Sequence, residues 1–320
     1  MKPYTNVLRN ILVNGERSDN RTGIDTIMLP GQSMQFNMRE GFPLLGLRKV
    51  PYTQIFGELI GFMRGFGDAE SFREFGCNIW DANANSNKAW LANPFRIGDD
   101  DLGLIYGVQW RGWEATTKAH DAGELAYLTE RGWSVATGPG SGADHWTLTK
   151  VIDQLADCLE MVRNDPTNRR ILFHAWNPAN LHAMALPPCH LLYQFHCYGT
   201  DKISLTVYIR SNDMGLGAPF NIASSATLLS LFAAWSGRTP HLLTIHIGDA
   251  HIYVNHLDAV SEMLLREDQN MTPELPVLGI AKHMVHTDVS LAELLQDLLP
   301  QDLTVSGYRP LGALKMEMAV

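Results

Sequence analysis

The sequence has few of the patterns that mark metal centres and redox folds. It contains only 4 cysteines in 320 residues and no Cys-x-x-Cys pair, so neither a disulfide framework nor a zinc ribbon is expected. Its 12 histidines include no His-x-x-x-His or His-Glu-x-x-His spacing. No strand is followed by Gly-x-Gly-x-x-Gly, and no Gly-Lys-Ser/Thr ends a glycine loop. We therefore predict no metal and no dinucleotide cofactor.

Positive charge and long apolar runs are also lacking. The formal charge is −9 and the isoelectric point is about 5.7, which argues against a broad basic surface for nucleic acid. No run of 18 apolar residues and no amino-terminal signal segment occurs. Hydrophobic residues make up 45% of the chain, enough for a sizeable core. We expect a soluble cytoplasmic protein that binds neither a membrane nor nucleic acid.

Hydrophobic periodicity predicts mixed helices and strands without regular βαβ alternation, which favours the α+β class. Glu58 lies beside the apolar stripe of a helix predicted at 52–66. Residues 114–150 have weak periodicity, so we interpret about 114–145 as an insertion in one domain that spans 1–320. The predicted helices lie at 5–14, 52–66, about 149–163 and after 216, and the predicted strands at 26–37, 171–176, 191–197, 203–210 and 241–247.

Arginines stand at unusual places for an acidic chain. Arg21 is in a polar loop, Arg169 and Arg170 are adjacent before a strand, and Arg210 with Ser211 ends another strand. Guanidinium groups and a hydroxyl suit a phosphate. Solvated surface arginines explain each of them equally well in isolation.

Two further patterns suit catalysis or binding. Cys189 follows two prolines and precedes His190, which fits a fixed thiolate nucleophile, although a small buried thiol fits as well. His251 and Tyr253 share one face of an extended segment and could bond a sugar hydroxyl, or each other.

The order of these segments along the chain is more specific than any one of them. Taken together, they resemble the thymidylate synthase family from about residue 5 to the end, apart from the insertion. The segments are Arg21, Glu58, "IWD" at 79–81, "YGVQWR" at 106–111, "NRR" at 168–170, "PPCH" at 187–190, "RSNDMGLGAPFNIAS" at 210–224 and "GDAHIYVNH" at 248–256.

The resemblance implies a single α+β domain with a mixed β-sheet as dimer interface, surrounding helices and an inserted small subdomain. It implies a homodimer in which Arg169 and Arg170 reach the site of the partner.

For the nucleotide, the resemblance implies dUMP as substrate, with Cys189 adding to C6 of uracil. Asn221 matches the residue that reads the uracil edge, for which an amide offers both a donor and an acceptor. Relatives that act on cytosine nucleotides tend to carry Asp there. The phosphate would bind Arg21, Arg169, Arg170, Arg210 and Ser211, and the 3′-hydroxyl would bind His251 and Tyr253.

The resemblance also implies proton-transfer groups. Glu58 matches a general acid/base that works through water near uracil O4, and an apolar surrounding would raise its pKa to a useful value. Tyr106 matches the tyrosine implicated in removal of the C5 proton. His190 and Gln194 match polar groups around the base.

The implied cosubstrate is 5,10-methylenetetrahydrofolate, which supplies the one-carbon unit and a hydride. Trp80 would stack on it and Asp213 would bond the pterin. The other expected contacts are Gly217 and Phe220 along the slot, Arg48 near the glutamate tail, and Ala319 with Val320 as a closing tail.

Four positions depart from the usual family pattern: Pro51, Asn83, Ile209 and Gly215. Pro51 and Asn83 stand at positions where the family contacts the folate, and a sealed folate pocket decides the outcome. Hydride transfer gives dTMP, whereas capture of the same intermediate by water gives a hydroxymethyl nucleotide. Three hypotheses therefore remain at this stage: a synthase, which we favour, a deoxyuridylate or deoxycytidylate hydroxymethylase, and a homologue that only binds.

Overall fold

A computed structural model describes residues 1–20, 22–140 and 144–317 and confirms the α+β class. Within those ranges, the α-helices are α1 (Lys2–Asn14), α2 (Tyr52–Arg64), α3 (Ala69–Glu74), α4 (Asp81–Asn85), α5 (Lys88–Leu91), α6 (Tyr106–Arg111), α7 (Ala122–Thr129), α8 (Gln154–Asn164), α9 (Ala218–Trp235), α10 (Leu257–Asp268) and α11 (Leu291–Asp297). The β-strands are β1 (Glu16–Ser18), β2 (Thr26–Asn37), β3 (Trp113–Ala119), β4 (Ser134–Thr137), β5 (Trp146–Ile152), β6 (Leu172–His174), β7 (His190–Tyr198), β8 (Lys202–Asp213), β9 (Thr239–Tyr253), β10 (Val277–Ile280) and β11 (Leu303–Ser306).

The core is built on a six-stranded sheet in the order β1-β2-β9-β8-β7-β6. β8 and β9 run parallel and are connected through α9, while the other neighbours in this sheet are antiparallel. Alternation along β8 buries Ile203, Leu205, Val207 and Ile209 completely and leaves Tyr208 exposed on the opposite face. One face of the sheet therefore packs on helices, and the other is open in the single chain.

Helix α9 covers the packed face. Pro219 stands in its first turn and Gly237, with φ of 65°, follows its end. Thr227 and Ser230 donate their hydroxyl groups to the carbonyl oxygens of Ala223 and Ala226, so these polar side chains do not lose their hydrogen bonds by burial. The helix contacts α2, β8 and β9 and forms the centre of the core.

The predicted helix at about 149–163 is wrong at its start. Residues 149–152 belong to β5, and α8 begins only at Gln154. Thr149 and Val151 are β-branched and pair with β3, which favours a strand. Asp153 then accepts a hydrogen bond from the N–H of Ala156 and caps the helix.

The segment predicted to be an insertion and the residues directly after it form a small sheet in the order β3-β5-β4, together with α7. Every residue of β4 is exposed, and no residue of α7 is buried. The capping side chain of Asp121 accepts from the N–H groups of Gly123 and Glu124 and starts α7. Because so little of this region is buried, its apolar residues show no clear periodicity.

No helix in the described part of the chain is long and apolar enough to cross a membrane.

The contact between α2 and α6 is tight at one glycine. A Cβ at Gly107 would lie 2.3 Å from the carbonyl oxygen of Phe62 and 2.7 Å from its Cα. The close approach brings the start of α6, with Tyr106, against the helix that carries Glu58.

We predict that Gly107→Ala destabilises the protein by about 2 kcal/mol or more, because the added methyl meets backbone atoms that only a shift of one helix can move. Gly98→Ala is the matched control, since a Cβ at Gly98 meets nothing within 4 Å. Urea unfolding of both variants measures the difference. Equal midpoints for Gly107→Ala and the wild type would contradict the proposed helix contact.

Candidate active site

A cavity of 710 Å³ opens where β8 and β9 end, and its volume is within the usual range of small-molecule sites. Six of the residues predicted to form the site line it: Cys189, Arg210, Ser211, Asp213, His251 and Tyr253. The remaining lining residues are Asn20, Thr22, Thr26, Asn83, Ser86, Asn87, Lys88, Ala89, Leu186 and Asp249. The polar side chains converge on one space from distant parts of the sequence.

Arg210 holds the turn that carries Cys189. Its Nε donates to the carbonyl oxygen of Pro188 (2.8 Å), and its Nη2 donates to that of Pro187 (3.1 Å). The same Nη2 lies 3.6 Å from the sulfur of Cys189. Cys189 is half-buried at the cavity wall. The geometry therefore places the guanidinium group of Arg210 beside a half-buried sulfur at the cavity wall.

The sequence pattern predicts Arg210 at the end of a strand, and this prediction is wrong. Arg210 lies inside β8, because the strand continues to Asp213. Its N–H donates to the carbonyl oxygen of Cys189 (2.9 Å), so β7 and β8 remain joined at this point.

Tyr106 approaches the same cysteine from α6. Its hydroxyl oxygen accepts a hydrogen bond of 2.7 Å from the N–H of Cys189. The ring is stacked on Phe62 at 4.8 Å between centroids. Burial raises the pKa of Tyr106 well above its ordinary value, so the phenol is neutral at physiological pH.

Glu58 is a carboxyl group in apolar surroundings, as predicted. Burial raises its pKa to about 7, against a smaller opposing effect of the hydrogen bond from Trp80. The indole N–H of Trp80 donates to Glu58 over 3.0 Å. A carboxyl group with this pKa exchanges its proton readily near neutral pH.

Polar residues of β7, β8 and α9 meet next to the strand residues that line the cavity, but they are not among its lining residues. The Asn221 amide donates to Asn212 Oδ1 at 2.9 Å, which fixes the orientation of its side chain. Burial lowers the pKa of His190 to about 4, against a smaller opposing effect of Asn221, so this ring is neutral. Gln194 donates to the carbonyl oxygen of Arg169 (3.1 Å). Arg169 and Arg170 are exposed and do not line the cavity of the single chain.

His251 and Tyr253 lie together on β9. Their rings are nearly perpendicular at 5.2 Å. His251 Nδ1 forms a hydrogen bond of 3.0 Å with Asp249 Oδ1. This contact fixes the imidazole ring, so its Nε2 faces away from Asp249.

Asp213 and Arg48 hold the segment after β8 from two sides. Asp213 Oδ1 accepts from the N–H groups of Gly215 (2.9 Å) and Leu216 (3.1 Å). Arg48 Nη2 donates to the carbonyl oxygens of the same two residues, each at 3.1 Å. Arg48 is only 3% exposed, so in this structure it supports the segment from the core and does not line the cavity.

His256 connects this segment with the carboxyl-terminal tail. Its Nε2 bonds the carbonyl oxygen of Glu317 (2.7 Å), and its Nδ1 lies 3.6 Å from Asp213. Burial alone would lower the pKa of His256, but the nearby Asp213 carboxylate raises it overall. A Cβ at Gly215 would lie 3.1 Å from His256 and 3.2 Å from the sulfur of Met316. The glycine therefore leaves room for the tail to pack.

Trp80 does not line the cavity either. It is 5% exposed and packs edge-on against Phe62 and Tyr106. Gly217 caps α9 and Phe220 is half-buried in its first turn. Arg21, Ala319 and Val320 lie outside the described residues.

The sequence analysis missed Lys88 and Asp249, which both line the cavity. Asn87 accepts from the N–H groups of Ala89 and Trp90 and starts α5, which places Lys88 at the wall. Asn87, a residue type that often caps helices, was the sequence feature that could have predicted this short helix.

The raised pKa of Glu58 makes stability depend on pH. The folded protein keeps a proton that the unfolded chain loses above pH 4.5, so wild-type stability falls as pH rises from 4.5 to about 7. Glu58→Gln removes this dependence. We predict that the variant gains on the order of 3 kcal/mol relative to wild type over that interval. Urea unfolding of both proteins from pH 4 to 8 measures it, and parallel stability curves would contradict the burial of an ionisable group.

Comparison with known proteins gives consistent matches along the whole chain. The family model described as Thymidylate synthase matches residues 2–320. The chain is 46% identical to thymidylate synthase of Pseudomonas putida and 45% identical to that of Pseudomonas syringae, with complete coverage of both chains in each case. It is 34% identical to human thymidylate synthase over 99% of this chain and 90% of the human protein.

Proposed function

Because the chain belongs to the thymidylate synthase family, we propose that it methylates dUMP reductively to dTMP, with 5,10-methylenetetrahydrofolate as cosubstrate. The observation that carries the proposal is the contact between Arg210 and the sulfur of Cys189 within the cavity. A nucleophilic thiolate beside a fixed cation is what addition to the uracil ring requires.

Cys189 begins the reaction by forming a bond from its sulfur to C6 of uracil. Arg210 serves two roles, because it stabilises the thiolate and lies beside Ser211, whose hydroxyl suits the phosphate. His251 and Tyr253 line the same cavity and suit the 3′-hydroxyl. The covalent bond makes C5 nucleophilic and later breaks to release the product and the thiolate.

We assign the proton transfers to Glu58 and Tyr106, which do not line the cavity themselves; Tyr106 contacts Cys189 directly. With a pKa of about 7, Glu58 can give a proton to water near O4 and take it back. We infer that the hydroxyl of Tyr106, which accepts the N–H of Cys189, directs removal of the C5 proton. His190 is neutral and adds no charge around the base.

Asn221 supports uracil as the base. Its amide is held by Asn212, so one orientation of donor and acceptor is presented to the ligand. A fixed amide complements the N3–H and O4 edge of uracil and leaves the edge of cytosine mismatched.

Two residues of the cavity wall support our proposal that a folate binds beside the nucleotide. The polar wall includes the Asp213 carboxylate, which suits the donors of a pterin, and Lys88, a cation that suits the glutamate carboxylates. When bound, the folate supplies the one-carbon unit and the hydride. Lys88 rather than the buried Arg48 is then the proposed partner of the glutamate tail. We propose that Arg48 and Trp80 are positioning residues. Arg48 holds the backbone at 215–216, and Trp80 orients the carboxyl group of Glu58.

One reaction tests the function. We expect the protein, dUMP and 5,10-methylenetetrahydrofolate to yield dTMP and dihydrofolate in equal amounts, measured by mass spectrometry and absorbance. Cys189→Ser, a weak nucleophile of similar size, should lower kcat by more than about 1,000-fold. Hydroxymethyl-dUMP without dihydrofolate would overturn the synthase proposal in favour of hydroxymethylation. Turnover of dCMP at the rate of dUMP would contradict the role of Asn221.

We further propose a homodimer through the open face of the central sheet. Tyr208, 42% exposed, and Tyr198, 40% exposed, lie on neighbouring strands of that sheet. Arg169 and Arg170 are exposed beside β6 and away from the cavity of their own chain. In a two-fold dimer they would complete the phosphate site of the partner.

Mixing two inactive variants tests this arrangement. We predict that Cys189→Ala and Arg170→Ala, unfolded and refolded together in equal amounts, regain about one quarter of wild-type activity, because half the dimers are mixed and each mixed dimer has one intact site. Each variant refolded alone is the control. No recovery, with mixed dimers present by mass spectrometry, would contradict a site shared between subunits.

A further inference from the structure

Two histidines and an aspartate meet at one end of the insertion, and the proposed function uses none of them. Ala119 is paired with Trp146 in the β3–β5 ladder, so His120 and His145 occupy the next opposite positions. Their rings lie 5.7 Å apart. Asp144 adds a carboxylate, 3.1 Å from Nδ1 of His145. One ligand atom from each of the three residues lies within 4.8 Å of the others.

We propose that His120, Asp144 and His145 bind a divalent transition-metal ion of the zinc class. Imidazole nitrogens and a carboxylate oxygen are ligands that Zn²⁺ accepts, and three protein ligands leave a position for water. Tetrahedral coordination with bonds of about 2.0–2.1 Å places ligand atoms about 3.4 Å apart. His120 and Asp144 are exposed side chains, so a small rotation brings the set to that spacing.

The surroundings support cation binding. The N–H of His120 donates to Glu124 Oε2 at 2.8 Å, which fixes the backbone at this ligand. Asp121 caps α7 next to it, so two further carboxylates give the region a negative charge. His145 has only 17% of its side chain exposed, which limits the positions it can adopt.

A bound ion would fasten the end of β3 to the start of β5. The chain between these points carries α7 and β4, whose residues have few buried contacts of their own. A metal ion that cross-links the two ends of such a loop lowers the conformational entropy of the loop in the metal-bound state. The three residues do not line the active-site cavity, so the site would be structural.

Calorimetric titration with Zn²⁺ tests the proposal. Every protein in the series carries Cys189→Ser, so that the accessible thiol does not bind zinc. We expect one ion per chain with a micromolar Kd. His120→Ala and His145→Ala should each weaken binding by at least about tenfold, and Asp144→Ala should weaken it measurably. His286→Ala, which removes another exposed histidine, is the matched control and should bind as the parent does.

Hydrogen exchange locates the ion in the same proteins. Zn²⁺ should slow amide exchange in peptides from 113–152 of the parent and leave exchange in His120→Ala unchanged. Circular dichroism shows that each variant remains folded. Absence of stoichiometric binding, unchanged affinity in both histidine variants, or protection confined to other peptides would each overturn the site.

Discussion

The arrangement of the candidate active site depends on one arginine in β8, a strand of the parallel β8–β9 pair of the central sheet. Arg210 binds the carbonyl oxygens of Pro187 and Pro188 and lies 3.6 Å from the sulfur of Cys189. A charged donor to two carbonyl groups is worth more than neutral hydrogen bonds of the same number. The side chain therefore holds the turn that carries Cys189 and places a positive charge beside its sulfur, and β9 places His251 opposite Asp213 of the same strand.

A second group of contacts surrounds Glu58 and Tyr106, the two residues to which we assign proton transfer. Glu58 lies on α2, whose apolar residues are buried, and Trp80 is its hydrogen-bond partner. The close contact at Gly107 brings Tyr106 onto Phe62 and next to Cys189. Apolar packing thus raises the pKa of a carboxyl group and positions a phenol with the same few helices.

The sequence was most informative where periodicity and burial coincide. The bounds of β2 and the burial of α9 follow from alternation and apolar content. The small sheet of the insertion could not be read in this way, because its strands bury little and their pairing is tertiary. Arg48 shows the same limit, since a cation expected at a ligand site lies in the core on backbone carbonyl oxygens. Lys88 lines the cavity because it lies at the start of α5, a short helix capped by Asn87. Composition alone does not predict so short a helix.

We propose that Arg210 makes Cys189 the most reactive thiol of the described chain, and competitive alkylation is a direct test. Iodoacetamide at pH 7, followed by peptide mass spectrometry, compares Cys189 with Cys197, a half-buried thiol whose pKa burial raises. We expect Cys189 to react faster than Cys197 in the wild type, and Arg210→Gln to slow Cys189 by about tenfold and leave Cys197 unchanged. Equal reactivity of Cys189 in both proteins would contradict the claim.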